Sequence, residues 1–326
     1  MQGLSQAQID QLNADGYLLV KGALDPELDI APVEREFEGL LDRIASELKA
    51  AGKIEDTHAG LPFAERFIAV ASDSPEPIVT RFEIALATTT VDPNARINCG
   101  EATFNFLRSP RILDIIESLI GGEIFASPVQ HTRIKLPPSV SQQAHVGNLT
   151  GQTQWHQDAG VVLPEADGNH TITVWAAMTD ATVDNGCLVY EQRSHRSGLA
   201  FHCPVHAGNK NLAVAIPDQW IDDERAAPVP AEKGDLLLHL PLTKHGSLQN
   251  TSNTIRWSFD LRYHPTDEPT GRPMFPGFVA RSRSNPASEL RSATEWGALW
   301  EAARDRLIGK EPPRPFRWNT DSAACA

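Results

Sequence analysis

Residues 254–261 read TIRWSFDL, a run of β-branched and aromatic side chains that predicts a strand with Arg256 and Ser258 on one of its faces. Two more runs of the same kind, Thr171 to Ala177 and Asp235 to Leu238, lie upstream. From Glu123 to His264 the chain alternates short Val-, Ile-, Thr- and Trp-rich segments with Gly, Pro, Asp and Asn. This texture predicts a many-stranded antiparallel sandwich or barrel.

Outside that region the periodicity is helical. Ser5 and Gln8 form a capping-box pattern ahead of Ile9 and Leu12, and Asp15–Gly16 ends the helix before a strand at Tyr17 to Val20. Val33, Phe37, Leu40, Leu41, Ile44 and Leu48 mark a helix that begins near Pro32 and stops at Gly52. Glu55 to Pro77 reads as loop-rich, and Ser109–Pro110 caps a helix carrying Ile112, Ile115, Ile116 and Leu119. Trp296, Trp300, Ala303 and Leu307 recur at helical spacing, for packing within the subunit or against a second copy. No repeat or long linker divides the chain. One domain is expected: helical support over about 1–122, a β core over about 123–264 and a helical extension over about 265–326.

The 326 residues carry 29 Lys plus Arg against 42 Asp plus Glu, a formal charge of -13 that disfavours a broad grip on nucleic acid or an anionic membrane surface. Cys99, Cys187, Cys203 and Cys325 show no framework spacing, which fits a reducing compartment. With no export-type leader at the N terminus and no apolar stretch of membrane-spanning length, a cytoplasmic protein is expected.

The string TQWHQDAG holds His156 and Asp158 one residue apart, so an extended backbone points both to one face. His245, in LTKHGSLQN, supplies a second imidazole. Two histidines and a carboxylate leave positions open on non-haem Fe(II) for oxygen activation, and the same set could bind Zn(II) and activate water. Arg256 adds a guanidinium able to clamp a carboxylate, which a zinc hydrolase does not need. A noncatalytic cupin-like binding protein is the remaining alternative.

Taken together, QLNADGYLLVKG, HTRIKLPP, WHQDAG, TVWAAMTDATVDNGCLVYEQRSH and KHGSLQNTSNTIRWSFDLRYHP resemble the phytanoyl-CoA dioxygenase family of Fe(II)/2-oxoglutarate-dependent oxygenases. The resemblance implies a double-stranded β-helix core, jelly-roll and cupin-like. In it His156, Asp158 and His245 hold Fe(II), Arg256 receives the distal carboxylate of 2-oxoglutarate with Ser258 as helper, and Lys135 and Trp175 line the cosubstrate pocket. Dioxygen is the second cosubstrate and a small molecule the substrate, with neither nucleic acid nor membrane as partner and a homodimer left open. Halogenating relatives have a small noncoordinating residue where this chain has Asp158, so hydroxylation or another C–H oxidation is implied. Arg193 stands where the family commonly has a turn glycine.

Of the other histidines, His202 and His206 lack partners for a second metal and read as structural or pocket residues. His131, His145, His170 and His239 are candidates for lining the cleft or for plain hydrogen bonding, and His195 closes the altered turn. Loop-rich stretches at Glu55 to Pro77 and Phe201 to Pro230 are the expected selectivity elements.

Overall fold

The computed structural model describes residues 3–86, 91–141, 151–207, 210–310 and 325. His145, the His206 side chain and the EPPRPFRWNT segment lie outside the described parts. Helices are α1 (Gln6–Asp15), α2 (Ala31–Ala50), α3 (Phe63–Asp73), α4 (Glu101–Leu107), α5 (Pro110–Ile120), α6 (Pro138–Ser141) and α7 (Ala293–Leu307). Strands are β1 (Tyr17–Val20), β2 (Glu123–Ala126), β3 (His131–Lys135), β4 (Thr153–His156), β5 (Ile172–Ala177), β6 (Leu188–Glu191), β7 (Cys203–Ala207), β8 (Lys210–Ala215), β9 (Ala226–Val229), β10 (Leu236–His239), β11 (His245–Ser247), β12 (Arg256–Pro265) and β13 (Phe278–Ser282).

The strands form a seven-stranded sheet in the order β1-β10-β5-β12-β2-β13, with β3 also on β12, and a four-stranded sheet β4-β11-β6-β9. A β7-β8 ribbon completes them, and every pairing in the two larger sheets is antiparallel. This is the double-stranded β-helix, mainly β with flanking helices. The larger sheet takes β1 from the N-terminal segment and β13 from the C-terminal one.

Period-two alternation gives that sheet two different faces. Trp257, Phe259, Leu261 and Tyr263 of β12, Val174 and Ala176 of β5, and Leu236 and Leu238 of β10 are buried in one apolar cluster with Val33, Phe37, Leu41 and Ile44 of α2. Phe37 lies 4.7 Å from Trp257 and 5.8 Å from Phe259 by ring centroid, the close aromatic packing that dominates core energetics. The opposite face carries Lys135, Arg133, Arg256, Ser258, Asp260, Arg262, Trp175, Thr173 and His239 across the β3-β12-β5-β10 register. It turns toward the smaller sheet and forms the cleft.

Several local expectations hold. Ser5 and Gln8 make the reciprocal capping box, and Gly16 closes α1 at φ 88. Other expectations change. Phe63–Asp73 is helical where a loop was expected, because Phe67, Val70 and Ala71 form a buried stripe. Ser109 makes no cap hydrogen bond to its helix; its hydroxyl donates to Asp29 at 2.7 Å. Trp296 and Trp300 are buried against Phe104, Phe278 and Phe275, so that face of α7 packs within the chain. Cys203 and Cys325, 122 residues apart, form a disulfide that spacing along the chain did not signal; Cys99 and Cys187 are free. Among the described residues, no helix is long and apolar enough to cross a membrane.

Arg193 occupies the left-handed region at φ 66, which explains the family's glycine at that place. Its backbone N–H donates to Asp15 at 2.8 Å and its side chain is mostly exposed, so the strain has no compensating burial. Arg193→Gly should therefore stabilise the protein by about 1 kcal/mol, read as a higher midpoint in urea unfolding. An unchanged or lower midpoint would show that the Arg193 side chain contributes more than its backbone strain costs.

Candidate active site

The β11–β4 register sets His245 directly opposite His156, and their rings lie 4.2 Å apart. Asp158 follows His156 by two residues at the start of a short 3-10 turn. One ligand atom from each of His156, Asp158 and His245 lies within 4.8 Å of the others. His156 Nδ1 donates to the Gln154 carbonyl at 2.9 Å, and His245 Nδ1 to the Thr243 carbonyl at 3.0 Å. Both Nε2 lone pairs are thereby left for a metal, the usual way in which an outer hydrogen bond selects a ligand's tautomer. Burial pushes the pKa of His156 down and, aided by the neighbouring His239 and His156, that of His245 well down. Both therefore sit neutral near pH 7, as ligation requires.

Asp158 is held from the facing sheet. His239, Thr173 and Arg262 stand in one row across β10, β5 and β12. Arg262 donates to Asp158 Oδ1, while Thr173 and His239 donate to Oδ2, the latter at 3.1 Å. Burial alone would raise the Asp158 pKa, but Arg262 with His239 and His245 holds it well below the ordinary carboxylate range. His239 spends its Nε2–H on Asp158, so its Nδ1 accepts from the Tyr190 hydroxyl at 3.0 Å. Tyr17 stacks on Tyr190 at 4.4 Å.

Farther along the same face Arg256 is only 2% exposed. Its Nη1 donates to Ser258 Oγ at 2.7 Å and its Nε to the Gly186 carbonyl at 3.2 Å, while Trp175 lies under the guanidinium at 5.4 Å. Gly186 has φ 94, and a Cβ there would meet the Leu248 carbonyl at 2.6 Å and Lys135 at 3.0 Å. Lys135 is the cross-strand neighbour of Arg256 and donates to the Leu248 carbonyl. Burial, then the Arg256 charge, pushes its pKa down to about 6. Among the described residues neither Arg256 nor Lys135 has a carboxylate partner within ion-pair distance, leaving a buried guanidinium, with an amine beside it, suited to an incoming carboxylate.

The cleft is lined by His156 and His245 at one end and by Trp175 and Arg256 at the other. Ser258 and Lys135 are not among its lining residues. Among the described residues none of Glu55 to Pro77 and none of Phe201 to Pro230 lines it; α3 packs into the apolar core instead, and the described walls are Arg133, Thr153, Leu188, Gly246 and Asp260. His202 is structural: its Nε2 accepts from the Gln157 N–H at 2.9 Å. His131 meets Glu83 and His170 meets Glu268, and neither is in the lining. His239 does line the cleft.

A two-histidine, one-carboxylate face beside a buried arginine, set between the sheets of a double-stranded β-helix, is the site arrangement of the non-haem Fe(II) oxygenase class. Residues 12–258 match the sequence profile of phytanoyl-CoA dioxygenase (PhyH), and the chain belongs to that family of Fe(II)/2-oxoglutarate-dependent oxygenases. It is 28% identical over 169 residues to the peroxisomal phytanoyl-CoA dioxygenase of Rattus norvegicus, an alignment that covers 52% of this chain and only 47% of the rat protein. It is 25% identical over 268 residues to the 1-deoxypentalenic acid 11-beta-hydroxylase of Streptomyces exfoliatus, covering 78% of this chain and 80% of that protein. The solved structure of the apo non-heme monooxygenase ThoJ superposes with a TM-score of 0.54 at 20% identity, covering 92% of this chain and 96% of that one, which shows the shared fold.

Residues 256, 258, 260 and 262 share one face of β12, but the strand expected from sequence ended at Leu261, so Arg262 was overlooked. The signal for Asp260 was there in the alternation. His239 is expected from sequence only as a cleft-lining or hydrogen-bonding histidine, and Thr173 carries no signal, since their task depends on facing Asp158 from another sheet.

Removing Arg262 should loosen the site without touching a ligand. Arg262→Met is expected to weaken Ni(II) or Fe(II) binding roughly 10- to 100-fold in anaerobic calorimetry. Metal affinity equal to that of the unsubstituted protein would show that Asp158 is positioned without its ion pair.

Proposed function

We propose that this enzyme hydroxylates a C–H bond of a small organic substrate, with 2-oxoglutarate converted to succinate and carbon dioxide, in a single oxygenase domain spanning the chain. The observation that carries the reading is Arg256, a guanidinium buried without a carboxylate partner beside the His156, Asp158 and His245 face. A hydrolase has no use for such a cation.

In this reading the two Nε2 atoms of His156 and His245 and the Asp158 carboxylate would hold Fe(II), which would supply oxygen activation when bound. The rest is the work of the chain. Arg256 takes the distal carboxylate of 2-oxoglutarate in paired charge-assisted hydrogen bonds. Ser258 and the Gly186 carbonyl fix the guanidinium, and Trp175 supports its plane. Lys135 strengthens the local positive potential from behind. Asp158 as a ligand favours hydroxylation over halogenation, because no coordination position is freed for halide. The substrate is a small molecule; nucleic acid has no part, a homodimer stays open, and the compartment is the cytoplasm.

Anaerobic addition of Fe(II) and 2-oxoglutarate should produce the weak visible charge-transfer band of the chelate. His156→Ala should abolish it, and Arg256→Ala should need roughly 100-fold more 2-oxoglutarate, the loss of about 3 kcal/mol expected for a charged hydrogen-bonded pair. A folded, iron-loaded protein without the band would sink the proposal.

Lys135 adds a pH signature. With its pKa near 6 the amine is neutral above that pH in the empty pocket, and a carboxylate arriving at Arg256 draws it back toward the charged form. Binding of 2-oxoglutarate should therefore take up protons above about pH 6, and its affinity should fall as pH rises. Calorimetry in buffers of different ionisation enthalpy reads the uptake directly. Lys135→Met should flatten the dependence, and an equally steep profile in that variant would remove Lys135 from the account.

A further inference from the structure

Two cleft-lining side chains have no task in holding iron or 2-oxoglutarate. Arg133 on β3 and Asp260 on β12 project from the same face as Arg256 and both line the cleft. Arg133 Nε donates to Asp260 Oδ2 at 3.2 Å. Among the described residues this is the one hydrogen bond of the Arg133 side chain, so its two terminal nitrogens remain unengaged. Asp260 Oδ1 is buried and has no partner among the described residues. The Arg133 side chain is 27% exposed where Arg256 is sealed in, which puts Arg133 on the accessible side of the cleft.

Charge points the same way. Arg133, Arg256 and Arg262 stand against Asp158 and Asp260 among the described residues around the cleft. If the two positive charges of Fe(II) are cancelled by the two negative charges of 2-oxoglutarate, at least one guanidinium charge stays uncompensated, with a second positive charge wherever Lys135 is protonated. An unpaired charge of that kind is costly, and a monoanion entering last removes the cost.

We propose that the primary substrate is a small carboxylic acid whose carboxylate docks on the terminal nitrogens of Arg133. Asp260 is the positioning residue that fixes the guanidinium plane, and its free Oδ1 accepts from a substrate hydroxyl or amide. The inference rests on the oxygenase reading above and deepens it, since the anchored carboxylate determines which C–H bond faces the metal.

The test uses the full-length protein loaded with Ni(II) and 2-oxoglutarate, titrated in a calorimeter with octanoate, cyclohexanecarboxylate and farnesoate and with the methyl ester of each. At least one acid should bind about tenfold or more tightly than its ester, as a charge-assisted pair requires. Arg133→Leu should erase that gap, Arg133→Lys should restore part of it, and Asp260→Asn should narrow it, with 2-oxoglutarate affinity close to that of the unsubstituted protein in all three.

Acids and esters that bind alike, or that both fail to bind, overturn the proposal. So does a loss of 2-oxoglutarate affinity in Arg133→Leu as large as that in Arg256→Ala, which would make Arg133 a cosubstrate residue. Coenzyme A displacing the acids in an Arg133-dependent way would replace the carboxylate by a thioester's phosphate. A fault in the oxygenase reading is told apart by the unsubstituted protein failing to bind 2-oxoglutarate at all.

Discussion

The buried contact of Asp158 with Arg262, His239 and Thr173 is the constraint around which the site is organised. A carboxylate with so little solvent must be neutralised and hydrogen-bonded or it would protonate. Its partners come from β12, β10 and β5 of the larger sheet, while its metal-binding neighbours His156 and His245 come from β4 and β11 of the smaller one. Asp158 is therefore one point, beside the Tyr190–His239 hydrogen bond, at which the two sheets are locked in relative position. Iron, by binding across that point, would join them a second time.

The larger sheet does two incompatible jobs by giving one to each face. Odd-numbered β12 residues Trp257, Phe259, Leu261 and Tyr263 are buried in the apolar cluster with α2, which holds the strand rigidly. Even-numbered residues Arg256, Ser258, Asp260 and Arg262 are polar and share the opposite face, from which all but Ser258 line the cleft. Burying Arg256, Ser258 and Arg262 and half-burying Asp260 is costly, and most of the cost is met by pairing: Arg262 with Asp158, Arg256 with Ser258, Arg133 with Asp260. Among the described residues, Asp260 Oδ1 and the terminal nitrogens of Arg133 are left without partners on this face, and these are where a ligand has something to gain.

Elements defined by near-neighbour patterns were legible in the sequence. The capping box of α1, the apolar stripe of α2 and the strands β5, β10 and β12 need only spacing of 3.6 or 2 residues, and each appears within a few residues of its expected place. His156 and Asp158 were legible for the same reason, with Arg256 placed by its strand. What sequence missed has a common cause. The α3 stripe was too short to stand out among Pro and charged residues, Ser109 abandoned its own helix for Asp29, and the Cys203–Cys325 bridge spans 122 residues.

The sequence by itself determined the ligand types, the strands that carry them and the membership in an oxygenase family, because those depend on residue identity and period. Only the tertiary structure decided which polar groups meet. The convergence of Thr173, His239 and Arg262 on Asp158, the retreat of Lys135 and Ser258 behind Arg256, and the Arg133–Asp260 pair depend on cross-strand register and on two sheets facing each other. A one-residue shift in register would turn each of these side chains to the apolar face, so their roles lie in the pairing of distant strands rather than in any one segment.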